Sequence, residues 1–206
     1  MSEIWPMIKA EREACADVVE KLTPEQLSTP SWCEGWSVRD VAGHMIATGD
    51  MTFGSFYSNL FKSGFRFSVM ANRLAAANRD GDPATLASRL RAKSSGPNHP
   101  PGPTVAMLGE AVVHGEDIRR PLRVSRTIPE ATLVAVADFY KKSNLILGAK
   151  RRIAGLRLKA TDADWSHGDG PEVTGPMASL VLAMTGRSEA IAELSGEGTE
   201  TLRGRG

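Results

Sequence analysis

Apolar residues recur at helical spacing from the start of the chain: Ile4, Ile8, Cys15, Val18, Val19 and Leu22. Steps of three, four and seven bring side chains to one face, so an amphipathic helix is predicted over 4–22. The stretch "TPEQLSTPSWCEGW" interrupts it with two prolines and a glycine. A second helix is predicted from Ser37 towards Met51. The Ser37 hydroxyl can cap the first free amides, and Asp40, three residues on, favours the positive helix end. Val38, Val41, His44, Met45 and Thr48 then share one side. Residues 53–67 are rich in aromatics and interrupted by Gly54 and Gly64, which predicts an irregular or only partly helical segment. Helical spacing returns over 69–78. Asp82-Pro83 sets a cap and a first-turn proline for a helix through Lys93, and "SSGPNHPPGP" ends it.

Two further helices are predicted, over 104–119 with Val105, Leu108, Ala111, Val112 and Ile118, and over 129–147 with Leu133, Val136, Ala137, Tyr140 and Leu145. The tail changes period. "LRLKATD" alternates like a strand, "ADWSHGDGPE" has loop chemistry, "VTG" is a short partner strand, and "PMASLVLAMTG" is an apolar helix behind a proline. The expected architecture is mostly α: a helical bundle over 1–150, and over 151–206 a small α/β appendage made of a β-hairpin and a helix.

Composition narrows the function classes. Lys and Arg number 25 against 24 Asp and Glu, a net charge of +1. That balance gives no field to collect nucleic acid or an anionic membrane. No apolar run approaches the roughly 20 residues of a membrane span, and the start lacks the pattern of a secretory signal. Cys15 and Cys33 are the only cysteines, too few for a disulfide framework. A cytoplasmic protein without nucleic-acid or membrane partners is expected. "GDGPEVTG" lacks the order and spacing of a dinucleotide loop, and neither a Gly-x-Ser-x-Gly elbow nor a phosphate-binding Gly-Lys-Ser/Thr occurs.

The histidines carry the candidate chemistry. His99 and His167 fall in loops and are expected to be exposed, whereas His44 and His114 sit among apolar neighbours within predicted helices. Glu110 stands four residues before His114 in "EAVVHGEDIRR", so both can face one way from one helix. His44 can add a third donor from another helix of the bundle. Two histidines and one carboxylate leave coordination positions open, which suits catalytic Zn²⁺ or Fe(II) better than a closed structural zinc. Asp117 lies on nearly the same face as His114 and can orient its ring from behind. Spacing alone leaves open that these residues are simply packed or solvated.

Other residues have two readings each. Cys33 precedes the cap of the second helix, where thiolates are favoured, or is a packed loop residue; Cys15 belongs to the core. The aromatics between Trp32 and Phe67 either pack the core or wall a substrate pocket beside His44. Arg119 and Arg120 are expected to meet the last carbonyls of their helix, with an anionic cofactor as the alternative.

"TPSWCEGWSVRDVAGHM" (29–45) together with "EAVVHGEDIRR" (110–120) resembles the mycothiol-dependent maleylpyruvate isomerase-like family, within the DinB/YfiT-like metal-binding group. The carrying residues are Cys33, Gly35, Trp36, Ser37, Val38, Arg39, Asp40 and His44, then Glu110, His114 and Asp117. The tail, "LKATDADWSHGDGPEVTGPMASLVLAMTGR", resembles the family's C-terminal segment. The resemblance implies a DinB-like antiparallel four-helix bundle that holds a divalent ion, Zn²⁺ or Ni²⁺, on His44, Glu110 and His114. It implies mycothiol as a thiol cofactor or co-substrate, an electrophilic small molecule as the other partner, and pairing into a homodimer. Arg187, in the Gly-Arg segment, has a structural reading at its helix end and a second as a group for an anionic substrate. The appendage reads as about fifty residues, shorter than the C-terminal domain of the archetypal isomerase, which favours a thiol transferase over maleylpyruvate isomerisation itself. The alternatives are a non-enzymatic metal-binding or ligand-sensing bundle, and a bundle whose histidines are only packed.

Overall fold

The computed structural model describes residues 4–94 and 98–205. The chain divides into two compact units, Met1–Ser125 and Arg126–Gly206. The first holds seven helices among its described residues: α1 (Ile4–Val19), α2 (Pro24–Leu27), α3 (Val38–Gly49), α4 (Phe53–Lys62), α5 (Phe67–Asn78), α6 (Pro83–Ala92) and α7 (Thr104–Arg119). α1 packs on α6 and α7, and α3 packs on the same two, so these four helices close a ring around the core. The core takes Cys15 and Val19 from α1, Val41 and Met45 from α3, Leu86 and Leu90 from α6, and Ile118 from α7. Each fully buried large aliphatic side chain contributes about 2 kcal/mol.

The start of α3 is set locally. Ser37 Oγ accepts from the Asp40 amide and the Asp40 carboxylate accepts from the Ser37 amide, which satisfies two otherwise orphaned donors. Asp40 also receives Arg79 at 2.7 Å, tying the first turn of α3 to the end of α5. Gly43 makes the close approach of α3 and α5 possible, since a Cβ there would stand 2.6 Å from the Ala75 carbonyl oxygen and 2.9 Å from the Arg79 nitrogen.

Two expectations for this unit are corrected. α4 is a regular helix, because Thr52 and Ser55 form a reciprocal cap at its start, Gly54 falls in the first turn, and Gly64 lies past the end at positive φ. It buries none of its residues. His99 is half-buried between Trp5 and Phe53, with ring centroids 5.9 and 6.0 Å away.

The second unit contains α8 (Glu130–Tyr140), α9 (Ala149–Arg152), β1 (Arg157–Ala160), β2 (Ser166–His167), β3 (Glu172–Gly175), α10 (Met177–Met184), a 3₁₀ turn (Ser188–Glu193) and α11 (Thr199–Arg203). This unit begins ahead of α8, whose apolar face packs on α10. α8 also stops at Tyr140, seven residues short of the expected 147. Beyond it, the Ser143 hydroxyl accepts from the Leu145 amide and the Asn144 side chain from the Arg151 amide, local bonds that compete with the helical ladder.

The sheet order is β2-β1-β3. β1 forms its hairpin with β2, pairing Leu158 with His167, so part of the expected loop is a strand. The "VTG" strand pairs with β1 in parallel, Leu158 opposite Val173. The chain reaches that register by folding back over itself. Gly168 and Gly170 both have positive φ, and a Cβ on either would lie 2.2 or 2.3 Å from the carbonyl oxygens of Leu156 and Gly155. β3 thus starts beside the start of β1. Arg187, at the end of α10, is buried and donates to the Thr185 carbonyl, as its structural reading expects.

Candidate metal centre

α3 supplies His44 and α7 supplies Glu110, His114 and Asp117. The His44 and His114 rings meet edge to face, with centroids 4.9 Å apart. Trp36 sits over both, 4.9 Å from His44 and 6.2 Å from His114. Its loop is held from two directions. The Ser31 amide and hydroxyl both donate to the Trp36 carbonyl, and the Trp32 amide donates to the Asp117 carbonyl on α7. The indole nitrogen donates to the Asn72 side chain on α5 at 2.7 Å.

His114 Nδ1 stands 2.9 Å from the Asp117 carboxylate. An ionised carboxylate only accepts, so Nδ1 carries a proton and Nε2 is the ring nitrogen left for another partner. Asp117 is fully buried, and its contact with His114 is the orienting one the spacing predicts. Burial, with the neighbouring His114 charge, pushes the His44 ring down to about 3. His44 is therefore a neutral imidazole at physiological pH, the form that can donate a lone pair.

Glu110 has partners of its own. Thr48 on α3 donates to one carboxylate oxygen at 2.6 Å, and Arg12 on α1 lies 3.3 Å from the other. Burial by itself would raise the Glu110 pKa, but Arg12, His114 and His44 outweigh it and hold the carboxyl below its ordinary value. Arg12 also donates to the Lys93 carbonyl at the end of α6, while its Nε is buried without a hydrogen-bond partner.

Within the described residues, the donor atoms that lie within 4.8 Å of one another are those of Cys33, His114 and Asp117. Cys33 is half-buried against the bundle core. Two of the sequence-predicted ligands, His44 and His114, are brought together directly. Glu110 projects from the same helix as His114, with its carboxylate engaged by Arg12 and Thr48.

Sequence reasoning passes over Arg12, Thr48 and the place of Cys33 beside His114. Arg12 carries a legible signal, since it shares the stripe of Ile8, Cys15 and Val19 and is buried with them. A charge on an apolar stripe asks for a partner. Arg119 and Arg120 both bond the Glu116 carboxylate, at 2.8 and 2.6 Å. The aromatic segment divides: Trp36 joins the histidines, whereas Phe53, Tyr57, Phe61 and Phe65 are more than half exposed.

Residues 8–54 match the family model of the mycothiol maleylpyruvate isomerase N-terminal domain. No curated protein matches the chain. Among solved structures, a mycothiol-dependent maleylpyruvate isomerase aligns with 95% of this chain and 92% of its own at 14% identity and a TM-score of 0.61. A histidine-to-alanine variant of such an isomerase aligns over the same shares at 13% identity and a TM-score of 0.58. Coverage of 92% of those chains removes the expected shortfall at the C-terminus, whose unit begins at Arg126. The chain thus resembles the mycothiol-dependent maleylpyruvate isomerase-like family, by sequence over residues 8–54 and by its DinB-like fold over nearly its whole length.

Proposed function

We propose that the chain binds a divalent metal ion on His44, Glu110 and His114. With it the protein activates a small-molecule thiol, mycothiol or a close chemical relative, for transfer to or isomerisation of an electrophilic substrate. The observation that carries this reading is the juxtaposition of the two imidazoles. They lie 4.9 Å apart, one neutral by burial and the other tied through Nδ1 to a buried carboxylate. By residue type the set suits a divalent ion with open positions, Zn²⁺ or Ni²⁺ among the candidates. When bound, such an ion acidifies a thiol and supplies a thiolate nucleophile at neutral pH.

The chain's own residues prepare for this. Asp117 fixes the tautomer and direction of His114. Thr48 and Arg12 hold the Glu110 carboxylate ionised and in place. Trp36 covers one side of both imidazoles and limits water there. No described helix is long and apolar enough to cross a membrane. Cys15 and Cys33 are not joined in a disulfide, which fits a reducing compartment, and a cytoplasmic location belongs to the proposal.

One observation favours a second ligand set: the grouping of Cys33 with His114 and Asp117. Elemental analysis of untagged protein separates the readings. Near-stoichiometric metal in the wild type, lost in both His44→Ala and His114→Ala and kept in Cys33→Ser, is expected. Loss in Cys33→Ser with retention in His44→Ala would move the site to the cysteine set. Absence of metal after incubation with Zn²⁺ and Ni²⁺ would overturn the proposal, and thiol-transfer assays with mycothiol follow only from the first outcome.

A further inference from the structure

The second unit holds a cavity of about 430 Å³ lined by Gly148, Arg151, Arg152, Ala154 and Arg205. Three of its five lining residues are arginines, and no ion pair joins any of these three to a carboxylate among the described residues. Their hydrogen bonds go to backbone oxygens instead. Arg152 donates from Nη1 to the Leu147 and Met184 carbonyls at 2.9 Å and from Nε to the Arg205 carbonyl. Arg205 donates from Nη1 to the Arg152 and Ala154 carbonyls. These bonds fix two guanidiniums rigidly and leave their Nη2 groups uncommitted. Among the described residues the Arg151 side chain makes no such bond and keeps its whole donor fork.

Neutral carbonyls orient a guanidinium but do not cancel its charge. Burial, and after it the cationic Arg187 and Arg151, push the Arg152 pKa down from the ordinary arginine value. Like charges gathered at a half-buried position are unfavourable unless something compensates them. The fold nevertheless makes room for the cluster. Gly186 has positive φ, and a Cβ there would stand 3.0 Å from Arg152 Nη2. Gly148 is also at positive φ, and a Cβ there would stand 3.6 Å from Arg151 Nη2, an ordinary contact distance.

We propose that this cavity is a binding site for a small oxyanion with two negative charges, a phosphate monoester or a dicarboxylate, held on the free N–H groups of Arg151, Arg152 and Arg205. Guanidinium forks match carboxylate and phosphate oxygens in pairs, and the volume lies within the ordinary range of small-molecule sites. Carbonyl-anchored Arg152 and Arg205 form the fixed wall, and Arg151 closes on the ligand. The cavity lies in the second unit and the proposed metal centre in the first.

The test is calorimetric titration of the full-length chain with inorganic phosphate and, separately, succinate, each against chloride at matched ionic strength. Saturable binding of at least one dianion above chloride is expected. Arg151→Ala weakens it about ten-fold or more, the loss of one charge-assisted interaction. Because the Arg151 side chain makes no hydrogen bond among the described residues, that variant is expected to keep its structure, which its thermal transition verifies. Arg151→Lys recovers part of the affinity by keeping the charge. Tighter phosphate identifies a phosphate ester as the ligand class, and tighter succinate a dicarboxylate. No saturable binding of either anion above chloride, or equal affinity in the wild type and Arg151→Ala, would overturn the proposal.

Discussion

Replacing Glu110 by Gln changes one charge and almost no volume, so its effect falls first on the pairing with Arg12, the strongest of the cationic influences on it. In the fold Arg12 is 1% exposed and Glu110 13%, with 3.3 Å between them. With the carboxylate neutralised, the guanidinium keeps the Lys93 carbonyl as an acceptor, while its Nε has none. Removing one partner of a buried pair costs about 3–5 kcal/mol. Gln keeps an oxygen for Thr48, and Glu110 is not wholly enclosed, so the lower end applies, about 3 kcal/mol. For a chain of 206 residues, that corresponds to a fall in Tm of roughly 6–12 °C. The assay is urea denaturation in EDTA, followed by far-ultraviolet circular dichroism, so that no metal contributes. An Arg12→Met background should recover part of the loss, because the charge left uncompensated is then gone. A loss below about 0.5 kcal/mol in the wild-type background would refute the reasoning and mean that solvent reaches the Arg12 charge.

Two other predictions need no metal. His44 has its pKa pushed down to about 3 in the fold against 6.5 as the ordinary value. Between those values the unfolded chain binds a proton that the folded chain does not, so stability is lost as pH falls through that window. The loss reaches at most on the order of 5 kcal/mol by pH 3; His44→Gln should flatten the profile of urea midpoints, and a wild-type profile already flat from pH 6.5 to 4 would contradict it. Gly43→Ala drives a Cβ against α5 backbone and should destabilise the first unit by about 2–3 kcal/mol, whereas an unchanged thermal transition would show that α3 and α5 separate freely.

The parts of this protein written locally could be read from the sequence. Ser37 and Asp40 cap α3, Asp82 caps α6 ahead of Pro83, and α7 spans the predicted 104–119, because caps, first-turn prolines and helical period act within a few residues. The histidine and carboxylate spacing on α7 was legible for the same reason, as was the Asp117 contact with His114. Even α4 obeyed a local rule, the Thr52 and Ser55 cap, which its glycines and aromatics obscured.

What the tertiary structure decided depends on groups far apart in the chain. Only packing puts Arg12 on Glu110, Thr48 on its other oxygen, and Trp36 over both imidazoles, since those partners are joined by no period. The direction of β3 was likewise undetermined by "VTG". Its residues fit either register, and the fold-back at Gly168 and Gly170 selects the parallel one. The same holds for the arginine-lined cavity, where Arg151 and Arg152 of α9 meet Arg205 from far along the chain. Periodicity and capping are properties of consecutive residues, so the sequence determines the elements. Charge compensation, ring contacts and strand direction belong to pairs that meet only after collapse, and there only the folded chain decides.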